Sequence, residues 1–240
     1  MKNLIIKDNY QPNGGVEYDT IIYDSINGKI ICEVPSIYEW VDLGLPSGTL
    51  WASCNVGATK PEDFGLYFAW GETEGYSGIT TEKGFYWGDY KFSSGQTLST
   101  SISFKGVTKY NSKSASGTVD NLTTLELVDD AAYVSDNTCR MPTSGECQEL
   151  IDNTTSTWET LNGVNGIRLT SKTNGNSIFV PAAGYCYGGS VLGVGSYGSL
   201  WSSSLNVSSS RDAWYLDFNS SYVVVDSYFR YDGFSVRAVL

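Results

Sequence analysis

Histidine is absent from this sequence, and lysine, glutamate, glutamine and methionine are absent after residue 180. These four types fill 26 of the first 180 positions, so at that density about nine would be expected among the last 60. The last quarter is instead rich in Tyr, Ser and Gly, a composition that antibody-like paratopes use because Tyr supplies rigid contact area and small polar residues adapt their hydrogen bonds. The composition therefore indicates a recognition surface.

Metal-binding residue types are also scarce. The five cysteines are odd in number and lack metal-site spacing: Cys32, Cys54, Cys139, Cys147 and Cys186. Without histidine the usual zinc sites are nearly excluded. We expect free, mostly buried thiols, no metal and no cofactor.

Charge and long apolar runs are limited as well. Only 17% of the 240 residues are charged and the net charge is −11, which argues against nucleic acid and anionic membranes as partners. There is no run of 18 apolar residues, and Lys2, Lys7 and Asp8 interrupt the start of the chain. We expect no direct membrane insertion and no signal peptide within this chain.

The N-terminal segment has a hairpin pattern. Residues 16–34 alternate apolar and polar types on both sides of Asn27-Gly28, a strong signal for a tight β-turn. After Pro35 the composition changes, so we predict an N-terminal β-hairpin arm over 1–37 and a main domain over 38–240. The arm is either an edge hairpin of the main domain or an element that docks to a larger assembly or oligomerises.

The first part of the main domain mixes strands, a helix and loops. Residues 40–51 predict two short strands around a Pro-Ser-Gly turn. Pro61 and the acids after it predict a helix whose Phe64, Tyr67 and Phe68 face the core. Residues 73–117 predict long loops, pinned by Phe85, Tyr86, Trp87, Tyr90 and Phe92.

Two further helices and a hairpin follow. Residues 125–134 predict a short helix in which Asp129 and Asp130 are solvated or capping acids, since their adjacency does not fit a calcium loop. Thr143 and Glu146 form a capping box before a second helix. Residues 167–180 predict a hairpin around Asn174-Gly175.

The last quarter alternates with the period of a β-strand. Trp214, Leu216 and Phe218 fall on one face, with Tyr215 and Asp217 on the other. Phe234, Val236 and Ala238 likewise alternate with Ser235 and Arg237. We assign Trp201, Trp214, Leu216, Phe218, Phe234 and Val236 to the buried frame, and Tyr222, Val224, Asp226, Tyr228 and Arg230 to solvent.

Several short motifs resemble a known group. They are Val-Asp-Leu-Gly-Leu-Pro-Ser-Gly-Thr-Leu-Trp-Ala at 41–52, Phe-Ala-Trp-Gly-Glu at 68–72, Arg-Met-Pro-Thr at 140–143, Pro-Ala-Ala-Gly-Tyr at 181–185, Trp-Ser-Ser-Ser at 201–204 and Gly-Phe-Ser-Val-Arg at 233–237. In this order they resemble the major-paralogous-domain proteins of gut Bacteroidetes and their phages. The resemblance implies an α+β, C-type lectin-like fold, similar to formylglycine-generating enzymes, with short antiparallel strands, two main helices and long loops.

Some members of that group are variable proteins of diversity-generating retroelements, in which an error-prone reverse transcriptase randomises adenines and rewrites the C-terminal segment of the gene. Randomised adenine-adenine-pyrimidine codons yield residues such as Asn, Asp, Ser, Gly, Tyr and Val. They never yield Lys, Glu, Gln, Met or Trp, which need a purine in third position. The resemblance thus accounts for the missing types, although an ordinary Gly-rich β segment with a biased composition is the alternative.

Catalysis is not expected. Formylglycine-generating enzymes use two C-terminal cysteines, whereas only Cys186 lies in the corresponding region, and the iron-dependent relatives need histidine. Asp217 or Asp226 with Tyr228 could serve acid-base chemistry, but we interpret them as surface residues. The calcium motifs of C-type lectins are absent, while glycan binding through tyrosines stays open.

We therefore predict a hypervariable ligand-binding protein for receptor recognition or adhesion, with a variable segment at about 185–235. Its target would be a protein or glycan on a host or neighbouring cell surface, and its location a phage particle or cell surface. The alternative is a non-variable structural or adhesive subunit of a phage particle or cell-surface fibre.

The residues predicted to contact the ligand share an outward position in the last quarter. They are Cys186, Tyr187, Ser190, Val191, Val194, Tyr197, Ser199, Leu200, Leu205, Ser208, Ser210, Arg211, Tyr215, Asp217, Ser221, Tyr222, Val224, Asp226, Ser227, Tyr228, Tyr231 and Asp232. Tyr197, Arg211, Tyr215, Tyr222 and Tyr228 are the expected anchors, because Tyr and Arg dominate binding hot spots.

Overall fold

The described residues of the N-terminal part of the chain form one pair of strands. In the computed structural model, which describes residues 21–24, 29–32, 37–78, 84–94 and 105–240, the chain divides into the units Met1–Ile37 and Tyr38–Leu240. In the first unit β1 (Ile21–Asp24) pairs antiparallel with β2 (Lys29–Cys32). The predicted Asn27-Gly28 turn lies outside the described residues.

The second unit opens with the predicted pair of short strands. β3 (Trp40–Asp42) and β4 (Leu50–Ala52) are antiparallel, and the turn between them is closed by the Gly48 amide donating to the Leu45 carbonyl at 2.9 Å. Gly48 has a φ of +78°, which glycine adopts without strain. This prediction is confirmed.

The helix predicted from Pro61 is wrong. Gly65 has a φ of +72°, which breaks the helical path, and the chain continues as β5 (Tyr67–Phe68). A Cβ on Gly65 would lie 2.5 Å from the carbonyl oxygen of Val56, so the backbones meet too closely for another residue. The helical spacing of the aromatic residues therefore reflects their burial and not a helix.

The described residues between Phe68 and Ala131 form loops, isolated β-bridges and two 3-10 turns, Trp87–Asp89 and Leu127–Asp129. Four aromatic side chains pin these loops as predicted: Phe85, Trp87, Tyr90 and Phe92 are buried. Tyr86, predicted to join them, is 52% exposed.

Helix α1 (Ala131–Ser135) is shorter than the predicted 125–134 helix. Asp130 caps it, accepting from the amides of Ala132 and Tyr133 at 2.9 and 3.0 Å. Asp129 is not solvated: it is 4% exposed and paired with Lys91 and Lys109 at 2.7 and 2.6 Å. Asp130 is thus a capping acid, as predicted. Neither acid is solvated, because Asp130 is buried as well.

Helix α2 (Ser144–Asn153) begins at the predicted capping box. The Glu146 amide donates to Thr143 Oγ1 at 3.2 Å, and the Thr143 amide donates to the Glu146 carboxylate at 2.8 Å. The same carboxylate is paired with Arg140 at 2.5 Å. These bonds hold the pKa of Glu146 at about 2, against its burial.

A three-stranded antiparallel sheet follows α2, in the order β6 (Thr154–Leu161), β7 (Val164–Ser171) and β8 (Ser177–Pro181). β7 and β8 form the hairpin predicted around Asn174-Gly175, with Arg168 opposite Phe179. That prediction is confirmed.

The last quarter forms a hairpin and most of a second sheet. β9 (Tyr185–Tyr187) pairs with β10 (Ser190–Leu192). β11 (Tyr197–Leu205), β12 (Asp212–Asn219), β13 (Val223–Phe229) and β14 (Phe234–Ser235) join β5 in the order β13-β12-β11-β14-β5. Only the β11–β14 neighbours in this sheet are parallel.

The two faces of the five-stranded sheet have different neighbours. On one face Leu200, Leu216 and Phe218 pack with Cys147 and Leu150 of α2 in one apolar cluster. On the other, Trp201, Tyr215 and Phe234 belong to a second, larger cluster. Strands with few helices thus make up a β-rich α+β domain.

Some frame assignments need correction. Trp201, Leu216, Phe218, Phe234 and Val236 are buried as predicted, but Trp214 is only half-buried. Ser235 and Arg237, expected opposite the core, are buried too, because apolar clusters cover both sides of this segment. Arg237 donates to Asn55 Oδ1 at 2.9 Å and to the carbonyls of Ala52 and Phe179 at 3.0 and 3.1 Å.

Candidate functional site

A pocket of about 280 Å³ opens on the face of the five-stranded sheet away from α2. We call it the tyrosine pocket, and its lining consists of Tyr185, Tyr197, Ser199, Tyr215, Asp217, Tyr222, Tyr228 and Phe234. All eight residues lie in the segment without Lys, Glu, Gln and Met.

Strand register brings these residues together. Ser199 of β11 lies opposite Asp217 of β12, and Asp217 lies opposite Val224 of β13. Two residues along, Tyr215 lies opposite both Trp201 and Asp226. Because side chains alternate along a strand, these six residues share one face of the sheet.

Stacked aromatic rings form the floor. Phe234 lies on Trp201 with ring centroids 4.1 Å apart and planes at 19°, and Tyr215 is 4.8 Å from Phe234. The Trp201 indole is fixed from below, donating to the Phe68 carbonyl at 2.8 Å. Tyr185 meets Phe234 edge-on at 6.0 Å. The floor is therefore pre-formed, which lowers the ordering cost of binding.

The rim is made of accessible rings. Tyr197, Tyr222 and Tyr228 are each about 40% exposed, with values of 43%, 40% and 39%. Such rings offer large apolar faces and hydroxyl groups to a ligand.

Asp217 gives the pocket a carboxylate. It accepts a hydrogen bond from the Tyr222 hydroxyl at 2.9 Å. Burial raises the pKa of Asp217 and the charge of Asp226 raises it further, while the bond from Tyr222 opposes both effects. Burial and the bond to Asp217 raise the pKa of Tyr222 to about 12, so its hydroxyl stays protonated at neutral pH.

A second pocket of about 290 Å³ lies on residues of the 84–94 loop and the β9–β10 hairpin. Its lining comprises Phe85, Tyr86, Trp87, Gly88, Tyr187, Gly188 and Tyr231. The Phe85 amide donates to the Gly188 carbonyl at 2.9 Å, which joins the loop to the hairpin.

Of the predicted contact residues, six line the tyrosine pocket: Tyr197, Ser199, Tyr215, Asp217, Tyr222 and Tyr228. Ser199 and Tyr215 are nearly buried, at 4% and 7% exposure, yet their remaining surface faces this pocket. Tyr187 and Tyr231 line the second pocket.

The other predicted residues with exposed or half-buried side chains are spread around these pockets. Ser190 and Val191 lie on β10, Val194 follows it, Ser208 and Arg211 lie between β11 and β12, Ser221 follows β12, and Val224, Asp226 and Ser227 lie on β13.

Five predicted contact residues are buried without lining either pocket, so their expected outward position is wrong: Cys186, Leu200, Leu205, Ser210 and Asp232. Cys186 is the inward-pointing neighbour of exposed Tyr187 on one strand. Leu200 faces α2, and Leu205 turns inward after the register shift between Trp201 and Leu205.

Arg230 was also expected in solvent and is fully buried. Its guanidinium donates to the Tyr90 hydroxyl at 2.8 Å and to the carbonyls of Lys109, Tyr110 and Ser210 at 2.9, 2.9 and 3.0 Å. Ser210 is buried in the same contact. The strand ends at Phe229, so the alternation that predicted an outward Arg230 no longer applies.

Asp232 is fully buried, and neither carboxyl oxygen has a hydrogen-bond partner among the described residues. Burial raises its pKa to about 8. It lies on the short connection between β13 and β14, beside Tyr231 of the second pocket.

Two pocket residues were missed as contacts, Tyr185 and Phe234. Phe234 is predicted as part of the buried frame, and it is buried there while also forming part of the pocket floor. Tyr185 stands two positions before the predicted Tyr187, and this period of two was a usable signal.

The described part of the chain places four of the five cysteine side chains. Cys54, Cys139, Cys147 and Cys186 are free and buried, as expected for these four. Burial raises the pKa of the Cys186 thiol to about 12, which disfavours the thiolate. Among the described residues no three side chains of the His, Cys, Asp or Glu types group as a metal site would require.

Fold and site define a β-rich α+β domain with a tyrosine-lined pocket. Residues 153–239 match the family model of a domain of unknown function, DUF8237. The match includes all eight residues of the tyrosine pocket. No curated protein and no solved structure matches the chain.

No helix in the described parts of the chain is both long and apolar enough to cross a membrane.

Proposed function

We propose that residues 38–240 form a C-type lectin-like domain, similar to formylglycine-generating enzymes, that binds a protein or glycan on a host or neighbouring cell surface. Short antiparallel strands, two helices and long loops support this fold. The protein acts by binding, in receptor recognition or adhesion, and not by catalysis.

One observation carries the proposal: six of the predicted contact residues, from three strands and a turn, line a single pocket with an aromatic floor. The opposite face of the same strands is packed against α2. Side chains on the pocket rim can therefore change without altering the core beneath α2, as a diversified binding surface requires.

We propose further that a retroelement diversifies this surface. The lining residues are Tyr, Ser, Asp and Phe, which adenine-adenine-pyrimidine codons yield after randomisation. Trp201, which such codons cannot yield, is fully buried beneath the floor. The varied positions would be the exposed and pocket-lining ones outside the motifs at 181–185 and 233–237, and not the buried Leu200 or Leu205.

The DNA around the gene tests this diversification. We expect a nearby template repeat that differs from the coding sequence only at adenines, with differences concentrated at codons of the exposed and pocket-lining residues. If no such repeat exists and sibling strains carry the same residues, the fixed structural or adhesive subunit is the correct interpretation.

Substitution of the rim tests ligand binding. The triple variant Tyr197→Ala, Tyr222→Ala and Tyr228→Ala should keep its fold, because these rings are only partly buried, and should lose capture on an array of cell-surface proteins and glycans. A truncated hot-spot residue costs about 2 kcal/mol or more, roughly thirtyfold in affinity.

The matched control is the triple Tyr→Phe variant, which keeps the rings and should retain most of the capture. Unchanged capture by the alanine variant would contradict binding at this pocket, and loss of the near-ultraviolet circular dichroism signal would show that the rim belongs to the core.

A further inference from the structure

We propose that the tyrosine pocket receives an organic cation, the ammonium or guanidinium end of a Lys or Arg side chain on a protein partner. This inference rests on the proposed function and narrows its ligand from protein or glycan to a cationic side chain.

The aromatic lining is the first argument. Five tyrosines and Phe234 surround a volume of about 280 Å³. Aromatic faces carry negative charge density and attract cations that lie within about 6 Å of the ring centre. The volume is just below the range of about 300–1,000 Å³ that small-molecule sites have, so it suits the end of one side chain better than several sugar rings.

The carboxylates are the second argument. Asp217 lies in the wall, and Asp226 lies opposite Tyr215 on the neighbouring strand, on the same face. The two carboxylates repel each other, and the charge of Asp226 therefore raises the pKa of Asp217. A cation between the rings would relieve this repulsion and would gain a charge-assisted hydrogen bond.

The placement of the positive charges is the third argument. After residue 180 the sequence has three arginines and four aspartates. Arg230 and Arg237 are fully buried, with their donors on protein oxygens. Arg211 is paired with Asp212 at 3.1 Å and lies over the Phe229 ring at 4.9 Å. No Lys or Arg is among the described residues that line the pocket. The lining therefore contains the acid Asp217 and no cationic side chain.

Matched small probes test the proposal on the full chain. Isothermal titration calorimetry with Nα-acetyl-arginine amide and Nα-acetyl-lysine amide should show binding. The expected Kd for a single side chain is on the order of millimolar. Nα-acetyl-citrulline amide has nearly the shape of the arginine probe without its charge. We expect it to bind at least tenfold more weakly.

Protein variants locate the site. Asp217→Asn should weaken the arginine probe about tenfold, and Asp226→Asn should weaken it less, because Asp226 does not line the pocket. Asp152→Asn is the control, since Asp152 is an exposed acid on α2 at the other face of the sheet and its loss should leave binding unchanged.

The outcomes separate this inference from the proposed function. Equal binding of the citrulline and arginine probes, or binding of methyl glycosides that Asp217→Asn leaves intact, would overturn the cation while keeping the pocket as a ligand site. Absence of binding by every probe would also overturn it. Capture of a partner that the triple Tyr→Ala variant leaves intact would instead overturn the proposed function itself.

Discussion

At the scale of single residues, Asp232 is a position where burial and charge conflict. Its carboxyl group is fully buried and has no hydrogen-bond partner among the described residues. Burying an unpaired charge is costly, so the group holds its proton and its pKa rises to about 8.

This conflict predicts a pH-dependent stability. A carboxyl whose pKa is higher in the folded than in the unfolded chain binds protons more tightly when folded, so its contribution to stability falls as pH rises from about 4 to about 8. Asp232→Asn removes the titration. We expect the unfolding free energy of the variant, relative to wild type, to rise across this window by an amount on the order of a few kcal/mol.

Urea unfolding at pH 4, 6 and 8 measures the effect. Asp152→Asn is the control for an Asp→Asn change at an exposed site, because Asp152 lies on α2 and not on the strands around Asp217, and its stability difference from wild type should stay nearly constant. A constant difference for Asp232→Asn as well would mean that this carboxyl is solvated or paired in solution.

Residue identity alone did not separate pocket from core. Tyr215 and Phe234 are chemically suited to either place, and both line the pocket while packing in the large apolar cluster. The sequence could predict that Tyr, Ser and Asp gather in the last quarter. Which rings form the floor depends on strand register, which is a non-local property.

At the scale of elements, Arg230 connects the end of β13 to the loops that contain Tyr90 and Tyr110. Its guanidinium donates hydrogen bonds to the Tyr90 hydroxyl and to the carbonyls of Lys109, Tyr110 and Ser210. Its Cζ atom lies 4.8 Å from the centre of the Trp70 ring. The planar guanidinium donates to several acceptors at once, and a lysine ammonium cannot direct its hydrogen bonds to the same positions.

We therefore expect Arg230→Lys to destabilise the protein by about 3 kcal/mol or more, because carbonyl groups lose their donors inside the protein. Arg211→Lys is the matched control at a half-buried site and should cost less than about 1 kcal/mol. Chemical denaturation of both variants gives the comparison. Equal stabilities would show that the carbonyls around Arg230 find other donors.

Elements with local signals were predictable. The capping box of α2 and the Asn174-Gly175 hairpin depend on neighbours in sequence, and both are confirmed. The helix predicted at Pro61 was wrong because Gly65 takes a positive φ where its backbone meets Val56. That contact reaches back nine residues, beyond the i, i+3 and i+4 spacing on which the helix prediction rests.

At the scale of the whole molecule, both apolar clusters of the described residues are built from positions between Tyr38 and Val239. This range contains its own helices, sheets and pocket. We expect a fragment of residues 38–240 to fold cooperatively, with a Tm within roughly 4 °C of the full chain, since a loss of 1 kcal/mol shifts Tm by about 2–4 °C at this size.

Thermal unfolding followed by near-ultraviolet circular dichroism checks this expectation, because all seven tryptophans lie within the fragment. The arginine probe should also bind the fragment as it binds the full chain. A fragment without a cooperative transition would contradict independent folding of the second unit.

The chemical character of this protein follows from its amino-acid sequence. The missing Lys, Glu, Gln and Met, the alternation along the last strands and the local turn and cap signals are all properties of neighbouring residues. The composition of the site depends on how the strands pack. Register between strands, the shift near Leu205 and the burial of Arg230 and Asp232 depend on contacts between distant residues, and these contacts set which side chains line a pocket and which lie beneath it.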